Sequence, residues 1–249
     1  MSGTRRRVPG EIETALDRLF VRLATRLGAR PIDPPYPIRE EFLDRVEFFA
    51  SFPRRAVPAG RDGTFLPPAT CYRMFQALVG TDLLAPVAVT LTGPCFRRET
   101  RYGPGRLRAF TMRELVFVTD EEGVAGARNA AAAASKRLAR TLGLDARLQE
   151  AGDPFFAEAT RAKRLLQRLL RLKLELVAPL ASVPMALASF NLHQDFFGSR
   201  LGIAVGNSVA WSGCAAWGVE RWRLALEERW GNRPEGWPEA VRRVLRLRD

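Results

Sequence analysis

Lysine is nearly absent from this chain. Of 39 basic residues among 249, only Lys136, Lys163 and Lys173 are lysine, so arginine carries almost all of a formal net charge of +12. GC-rich coding explains the choice of arginine, but not the excess over 27 acidic residues. That excess points to an acidic partner, whether nucleic acid, nucleotide or acidic protein. Histidine occurs once, at His193, with no second histidine or serine partner at a recognisable spacing, so a hydrolytic triad has little support. The cysteines Cys71, Cys95 and Cys214 are odd in number and lack C-x-x-C spacing, which argues against a disulfide framework. No apolar run of about 18 residues occurs, and none follows Arg5-Arg6-Arg7, so neither a membrane span nor a signal peptide is expected. The cytoplasm is the expected location, with reduced thiols available to a metal.

What is present is ordinary for a globular protein, at 47% hydrophobic and 27% charged residues. The length allows one sizeable core, and one domain over 1–249 is the expectation. Ile12, Leu16, Leu19, Phe20, Leu23 and Leu27 share a helical face that Gly28 and Pro31 end. A Pro-rich extended passage runs from Ala29 to Pro37, and the aromatic-rich residues 38–52 have no assigned type. Strands are expected at Val87–Leu91 and Ala109–Val118, then an Ala-rich helix from Val124 to Leu142 stopped by Gly143. Residues 161–176 read as a helix with Leu165, Leu169, Leu172 and Leu176 on one face and Arg161, Arg164, Arg168 and Arg171 on another. Two or three short strands follow in 184–217, and helices begin near Glu220 and Pro238. Strands without regular crossover helices indicate an α+β domain with an antiparallel sheet.

The stretch Cys95-Phe96-Arg97-Arg98-Glu99, a Gly/Pro loop, then Phe110-Thr111-Met112-Arg113-Glu114 carries the most chemistry. Arginine forks suit phosphate and a phenyl face suits a purine base. Alone, the pattern fits a charged surface hairpin at least as well. Other unusual strings accompany it: Asp153-Pro154-Phe155-Phe156, Ser189-Phe190-Asn191-Leu192-His193-Gln194-Asp195, and Gly213-Cys214-Ala215-Ala216-Trp217-Gly218-Val219-Glu220-Arg221. The last opens a helix after an apolar strand and places Arg221 where a phosphate can meet a helix N-terminus.

Taken together these strings resemble the class II aminoacyl-tRNA synthetases. Phe96-Arg97-x-Glu99 with Phe110 looks like motif 2 (near 95–118), Gly218-x-Glu220-Arg221 like motif 3 (near 213–230), and the first helix with its Pro-rich exit (near 11–37) like motif 1, a dimer element. Within the class, Pro68-Ala69-Thr70-Cys71-Tyr72, the two motif-2 strings, Asp153 to Phe156, Ser189 to His193 and Gly213-Cys214 resemble the amino acid:[carrier protein] ligases, homologues of the atypical archaeal seryl-tRNA synthetase core. The likeness covers about residues 65 to 225.

The resemblance implies roles. Arg97 would bind the α-phosphate of ATP and the amino-acid carboxylate, Glu99 the adenine or ribose side, and Phe110 would stack on adenine. Arg221 would hold the γ-phosphate and stack from the other face. Cys71, Glu114 and Cys214 would ligate Zn²⁺ with the fourth position open to the substrate amine, which Asp153 would help recognise. Two thiolates, a carboxylate and an open position are the catalytic rather than the structural zinc pattern. Cys95 reads as packing. His193, Asn191 and Asp195 remain open between satisfied polar groups and pocket walls. The sequence departs from the family after Phe156, where Ala157-Glu158-Ala159-Thr160-Arg161 replaces a Gly- and Lys-containing loop, and it is shorter at the N-terminus. The implied activity is ATP- and Mg²⁺-dependent activation of glycine, alanine or serine, then transfer to the phosphopantetheine thiol of an acidic carrier protein by a homodimer. The rivals are tRNA aminoacylation, for which no RNA-binding module is visible, and a non-catalytic paralogue that binds nucleic acid or a partner protein.

Overall fold

A computed structural model describes residues 10–99, 101–152, 170–181 and 183–247. A seven-stranded sheet organises them: β1 (Arg30–Pro31), β6 (Val87–Phe96), β7 (Ala109–Thr119), β8 (Arg147–Glu150), β9 (Lys173–Ala178), β10 (Met185–Gln194) and β13 (Trp211–Gly218), in the order β1-β6-β7-β13-β10-β9-β8. β1 runs parallel to β6, and all other neighbours are antiparallel. Two three-stranded sheets lie beside it: β2 (Ile38–Arg39), β4 (Thr64–Leu66) and β3 (Val57–Pro58), and then β12 (Ser208–Val209), β11 (Ala204–Val205) and β5 (Asp82–Leu83). The helices are α1 (Glu11–Arg26), α2 (Glu40–Arg45), α3 (Phe48–Ser51), α4 (Cys71–Ala77), α5 (Glu121–Thr141), α6 (Phe196–Leu201), α7 (Val219–Trp230) and α8 (Glu239–Leu245). The α+β class with an antiparallel sheet flanked by helices is the one expected from sequence.

Alternation along the strands divides the core in two. Leu115, Phe117, Ala215 and Trp217 meet α1, α5 and α7. Val116, Val118, Leu91 and Cys214 point the other way, toward Phe42, Leu43, Phe75 and Phe197. On the helical side, α1 lays Leu16 and Phe20 into the sheet, with Phe20 stacked on Trp217 at 5.5 Å. Burying a side chain such as Phe20 contributes roughly 2–3 kcal/mol. Gly28, at φ +87°, turns the chain out of α1. α5 starts where the Asp120 carboxylate accepts the Gly123 N–H at 2.7 Å. Its alanines let it lie close to the sheet, where Ser135 Oγ accepts the Trp217 Nε1–H at 2.9 Å. Arg113 of β7 also faces this side and holds Asp17 of α1 through two bonds, at 2.8 and 2.7 Å.

Local reading errs in two places. The strand expected to end at Leu91 continues to Phe96. The helix expected over 161–176 does not reach its stated end, because Lys173–Ala178 is β9, paired with β10 from Lys173↔Asn191 to Ala178↔Met185. Residues 161–169 lie outside the described residues. Arg171 sits in a turn at φ +51° and pairs with Glu150 at 2.8 Å, so it does not extend a helical arginine face.

Candidate functional site

The side of the sheet opposite α1, α5 and α7 carries a buried cluster of acids. α4 begins at Cys71, and the backbone entering it faces β7: Thr70 N–H donates to Glu114 Oε1 at 2.9 Å and Cys71 N–H to Oε2 at 3.1 Å. On the next strand Ala216 opposes Glu114 and Cys214 opposes Val116, which puts Cys214 diagonally beside Glu114 on the same face. The Sγ atoms of Cys71 and Cys214 and a Glu114 carboxylate oxygen all lie within 4.8 Å of one another, and all three residues are buried.

Burial, reinforced by the negative charge of Cys214, pushes the Glu114 carboxyl up to about 7, even though two N–H groups bond it. The Cys71 thiol donates to Cys214, which raises Cys71 and lowers Cys214. Around Cys214 Sγ stand Asn191 Nδ2 at 3.3 Å and His193 Nε2 at 3.5 Å. Three acids buried in contact are costly to charge, and a divalent cation bound by two sulfurs and one oxygen would offset that cost. The donor set therefore fits a metal ion held by three protein ligands. Cys95 stays apart from the cluster: burial pushes its thiol up to about 12, and its sulfur lies 3.2 Å from Thr70 Oγ1.

Residues 67–70 join this cluster to a basic, aromatic region. Phe96 N–H donates to Pro67 O at 2.9 Å, and Arg97 Nε donates to Pro68 O at 2.8 Å. The Arg97 guanidinium covers the Phe110 ring at 5.1 Å. Glu99 is buried in an ion pair with Arg55 at 2.5 Å, and Arg55 also donates to Arg98 O at 2.9 Å. Arg221, in the first turn of α7, donates to Gly105 O at 2.8 Å and Ala186 O at 2.9 Å. Burial lowers its pKa, and the positive charges of Arg97 and Arg106 add to the shift, so this corner favours an anion. Gly105 fits here because its φ is +66° and an added Cβ would meet Met185 Cε at 2.8 Å. Glu220 accepts the Thr111 N–H on both oxygens at 2.9 Å, fixing β7 beside Phe110.

Most residues singled out in the sequence thus fall in two adjoining groups, Cys71–Glu114–Cys214 and Arg97–Glu99–Phe110–Arg221. Arg221 is held by carbonyls rather than against the Phe110 ring. Asp153 lies outside the described residues, as do Arg161, Arg164 and Arg168. Asp195 accepts from Ser199 Oγ at 2.7 Å, within the start of α6. Sequence reasoning missed Arg55, which lies far from Glu99 in the chain and in no motif, and gave no role to Glu220, although it sits inside one. It also missed Arg73, which is 1% exposed, stacks over Tyr36 at 3.5 Å and ties the Pro-rich passage to β6 through Thr92 O at 3.0 Å.

No family model matches the chain. It is 36% identical over 187 residues to amino acid–[acyl-carrier-protein] ligase 2 of Bradyrhizobium diazoefficiens, covering 73% of this chain and 56% of that protein. It is 27% identical over 199 residues to the type-2 serine–tRNA ligase of Methanopyrus kandleri, covering 72% of this chain and 37% of that one. Among solved structures, the M. kandleri seryl-tRNA synthetase in complex with A. aeolicus tRNASec superposes with a TM-score of 0.75 at 20% identity, over 96% of this chain and 57% of the other. The chain spans a little over half the length of the curated ligases it matches.

Proposed function

Because the chain is a homologue of the amino acid–[acyl-carrier-protein] ligases built on the catalytic fold of class II seryl-tRNA synthetases, we propose that it activates a small amino acid with ATP and passes it to a carrier-protein thiol. The observation that carries this reading is the placing of a buried Cys/Glu/Cys cluster beside an arginine–aromatic corner on one face of the sheet.

In the first step a carboxylate oxygen of glycine, alanine or serine attacks the α-phosphorus of ATP. The bond to the bridging oxygen breaks, pyrophosphate leaves, and aminoacyl-adenylate remains. Arg97 binds the α-phosphate and the attacking carboxylate, Phe110 receives the adenine ring, and Glu99 meets the adenine or ribose. Arg221 exchanges its carbonyl partners for the γ-phosphate, and Mg²⁺ would supply further charge neutralisation to the triphosphate. No protein nucleophile is required, because the substrate carboxylate attacks and the site positions it. Cys71, Glu114 and Cys214 would hold Zn²⁺, which when bound would supply Lewis-acid chemistry for recognising the substrate amine, and Asp153 helps recognise that amine. In the second step the phosphopantetheine sulfur attacks the carbonyl carbon, AMP leaves, and a thioester forms.

The reading takes 1–249 as one catalytic domain acting in the cytoplasm, with the 11–37 segment as the dimer element of a homodimer. Among the described residues no helix is long and apolar enough to cross a membrane. Exchange of labelled pyrophosphate into ATP, tried with each proteinogenic amino acid, tests the first step. Dependence on one or two small amino acids is the expected result, and zinc-replete protein silent with all of them would refute the reading. Thioester formation on a phosphopantetheinylated carrier, set against charging of bulk tRNA, tests the second step.

A further inference from the structure

β10 carries one residue too many for its ladder. Asn191 opposes Cys214 and Leu192 opposes Gly213, yet the next pair is Gln194 with Ser212. The inserted residue is His193, the chain's single histidine. Gln194 takes φ +57° to complete the bulge, a left-handed conformation that a non-glycine residue adopts only under constraint. Bulges re-aim side chains next to functional sites. Here the re-aimed ring arrives with Nε2 3.5 Å from Cys214 Sγ.

The ring is held on its other sides. Ser212 Oγ lies 3.2 Å from Nδ1, and Ser212 is 1% exposed. Phe75 and Phe197 meet the imidazole edge to face, at 5.6 and 5.0 Å. A serine hydroxyl donating to Nδ1 leaves the proton on Nε2, directed at the sulfur. Asn191 Nδ2 supplies a second N–H to the same sulfur at 3.3 Å. The histidine nitrogen is not one of the three mutually close donors, so its place is behind the thiolate rather than among the ligands.

We propose that His193 is a positioning residue of the metal centre: its Nε2–H, set by Ser212 and seconded by Asn191, holds the Cys214 sulfur in the direction from which it meets the ion. The proposal rests on the metal reading given above and adds to it a residue outside the ligand set. Partners behind a metal ligand typically govern affinity by about 10–100-fold.

Co²⁺ added to metal-stripped protein tests this, because sulfur-to-cobalt charge-transfer absorption reports thiolate ligation independently of turnover. His193→Ala and His193→Phe are both expected to weaken Co²⁺ binding by about 10–100-fold and to shift the charge-transfer band. His193→Gln, which keeps an N–H, is expected to recover part of the loss, and Ser212→Ala to show a smaller loss. His193→Phe preserves the aromatic packing and removes the donor. Wild-type affinity and band in that variant would overturn the proposal and leave His193 a packing residue. Wild-type protein that shows no thiolate band, with Cys214→Ala indistinguishable from it, would overturn the metal assignment and the proposal with it. Thermal unfolding of each metal-free variant separates loss of fold from loss of binding.

Discussion

Cys71 N–H donates to Glu114 Oε2 at 3.1 Å, so the backbone of one candidate ligand fixes the side chain of another. The first turn of α4 and the middle of β7 are far apart in sequence, and this contact places a sulfur and a carboxylate together before any ion arrives. Preorganisation of that kind lowers the ordering cost of binding, and it makes the site's properties measurable one residue at a time.

Zinc content is the most direct of these. Protein purified without added metal is expected to hold one zinc per chain, and Cys71→Ala or Cys214→Ala to lose it. Cys95→Ala should keep it, since Cys95 lies outside the mutually close trio. Elemental analysis decides. Unaltered zinc in both ligand variants would remove the assignment.

The phosphate arginines should dominate the first half-reaction. Losing one well-placed charge in such a site costs about 10²–10³-fold in rate, so Arg97→Ala or Arg221→Ala should nearly abolish pyrophosphate exchange. Lysine at position 221 should restore little, because the planar guanidinium fork meets phosphate oxygens with paired N–H groups, which a single ammonium does not.

Metal-stripped protein should lose stability as pH rises. Burial, with Cys214 beside it, lifts Glu114 from an ordinary 4.5 to about 7. A carboxyl whose folded pKa is raised binds its proton more tightly in the folded state. Its stabilising contribution is complete below the unfolded value and is lost as pH climbs through the folded one. The window is therefore about pH 4.5 to 7, and the amplitude is on the order of 3 kcal/mol. Denaturant melts across that range should slope downward for the wild type and flatten for Glu114→Gln. Saturating Zn²⁺, which requires the deprotonated carboxylate, should abolish or reverse the slope.

Arg55 offers a test away from the motifs. Its ion pair with Glu99 is 18% and 5% exposed on the two sides. Arg55→Ala leaves a carboxylate without that partner, which should cost about 2 kcal/mol of stability and raise the KM for ATP more than it lowers kcat. Pairing it with Glu99→Gln should recover much of the stability without recovering the KM. Additive losses in the double variant would show that the pair is not coupled.

The legible parts of the fold were those whose pattern is local. α1 follows from its apolar spacing and closing Gly28, and α5 from its alanine run and closing Gly143. The β-branched and apolar run that marks β6 in the sequence ends at Leu91, short of Gly93-Pro94. In the sheet Pro94 opposes Thr111, and a Cβ on Gly93 would lie 2.0 Å from Tyr36 Oη, so that glycine serves a packing contact. β9 was hidden by leucines spaced three and four apart, and only its pairing with β10 decides that Leu174 and Leu176 belong to a strand. In the site, the cysteines and Glu114 were found because each sits in a recognisable string. The position of Asn191 on Cys214 depends on the pairing of β10 with β13, and that of His193 on a bulge, neither of which leaves a mark in composition or period. Arg55 meets Glu99 through tertiary contact alone.

In β7, Arg113 faces α1 and its neighbour Glu114 faces the cysteines. The strand therefore has no slack: deleting one residue ahead of this pair, inside the ladder, would exchange their faces, burying a guanidinium among the thiols and turning the carboxylate toward Asp17. The tip of the hairpin, over 101–104, is under no such constraint, since it lies between Glu99 and Gly105, which the site holds in place. Length variation among descendants of this sequence should accordingly collect at that tip and spare the strand, and insertion scanning through 101–119 would display the boundary as an abrupt change from tolerated to lethal.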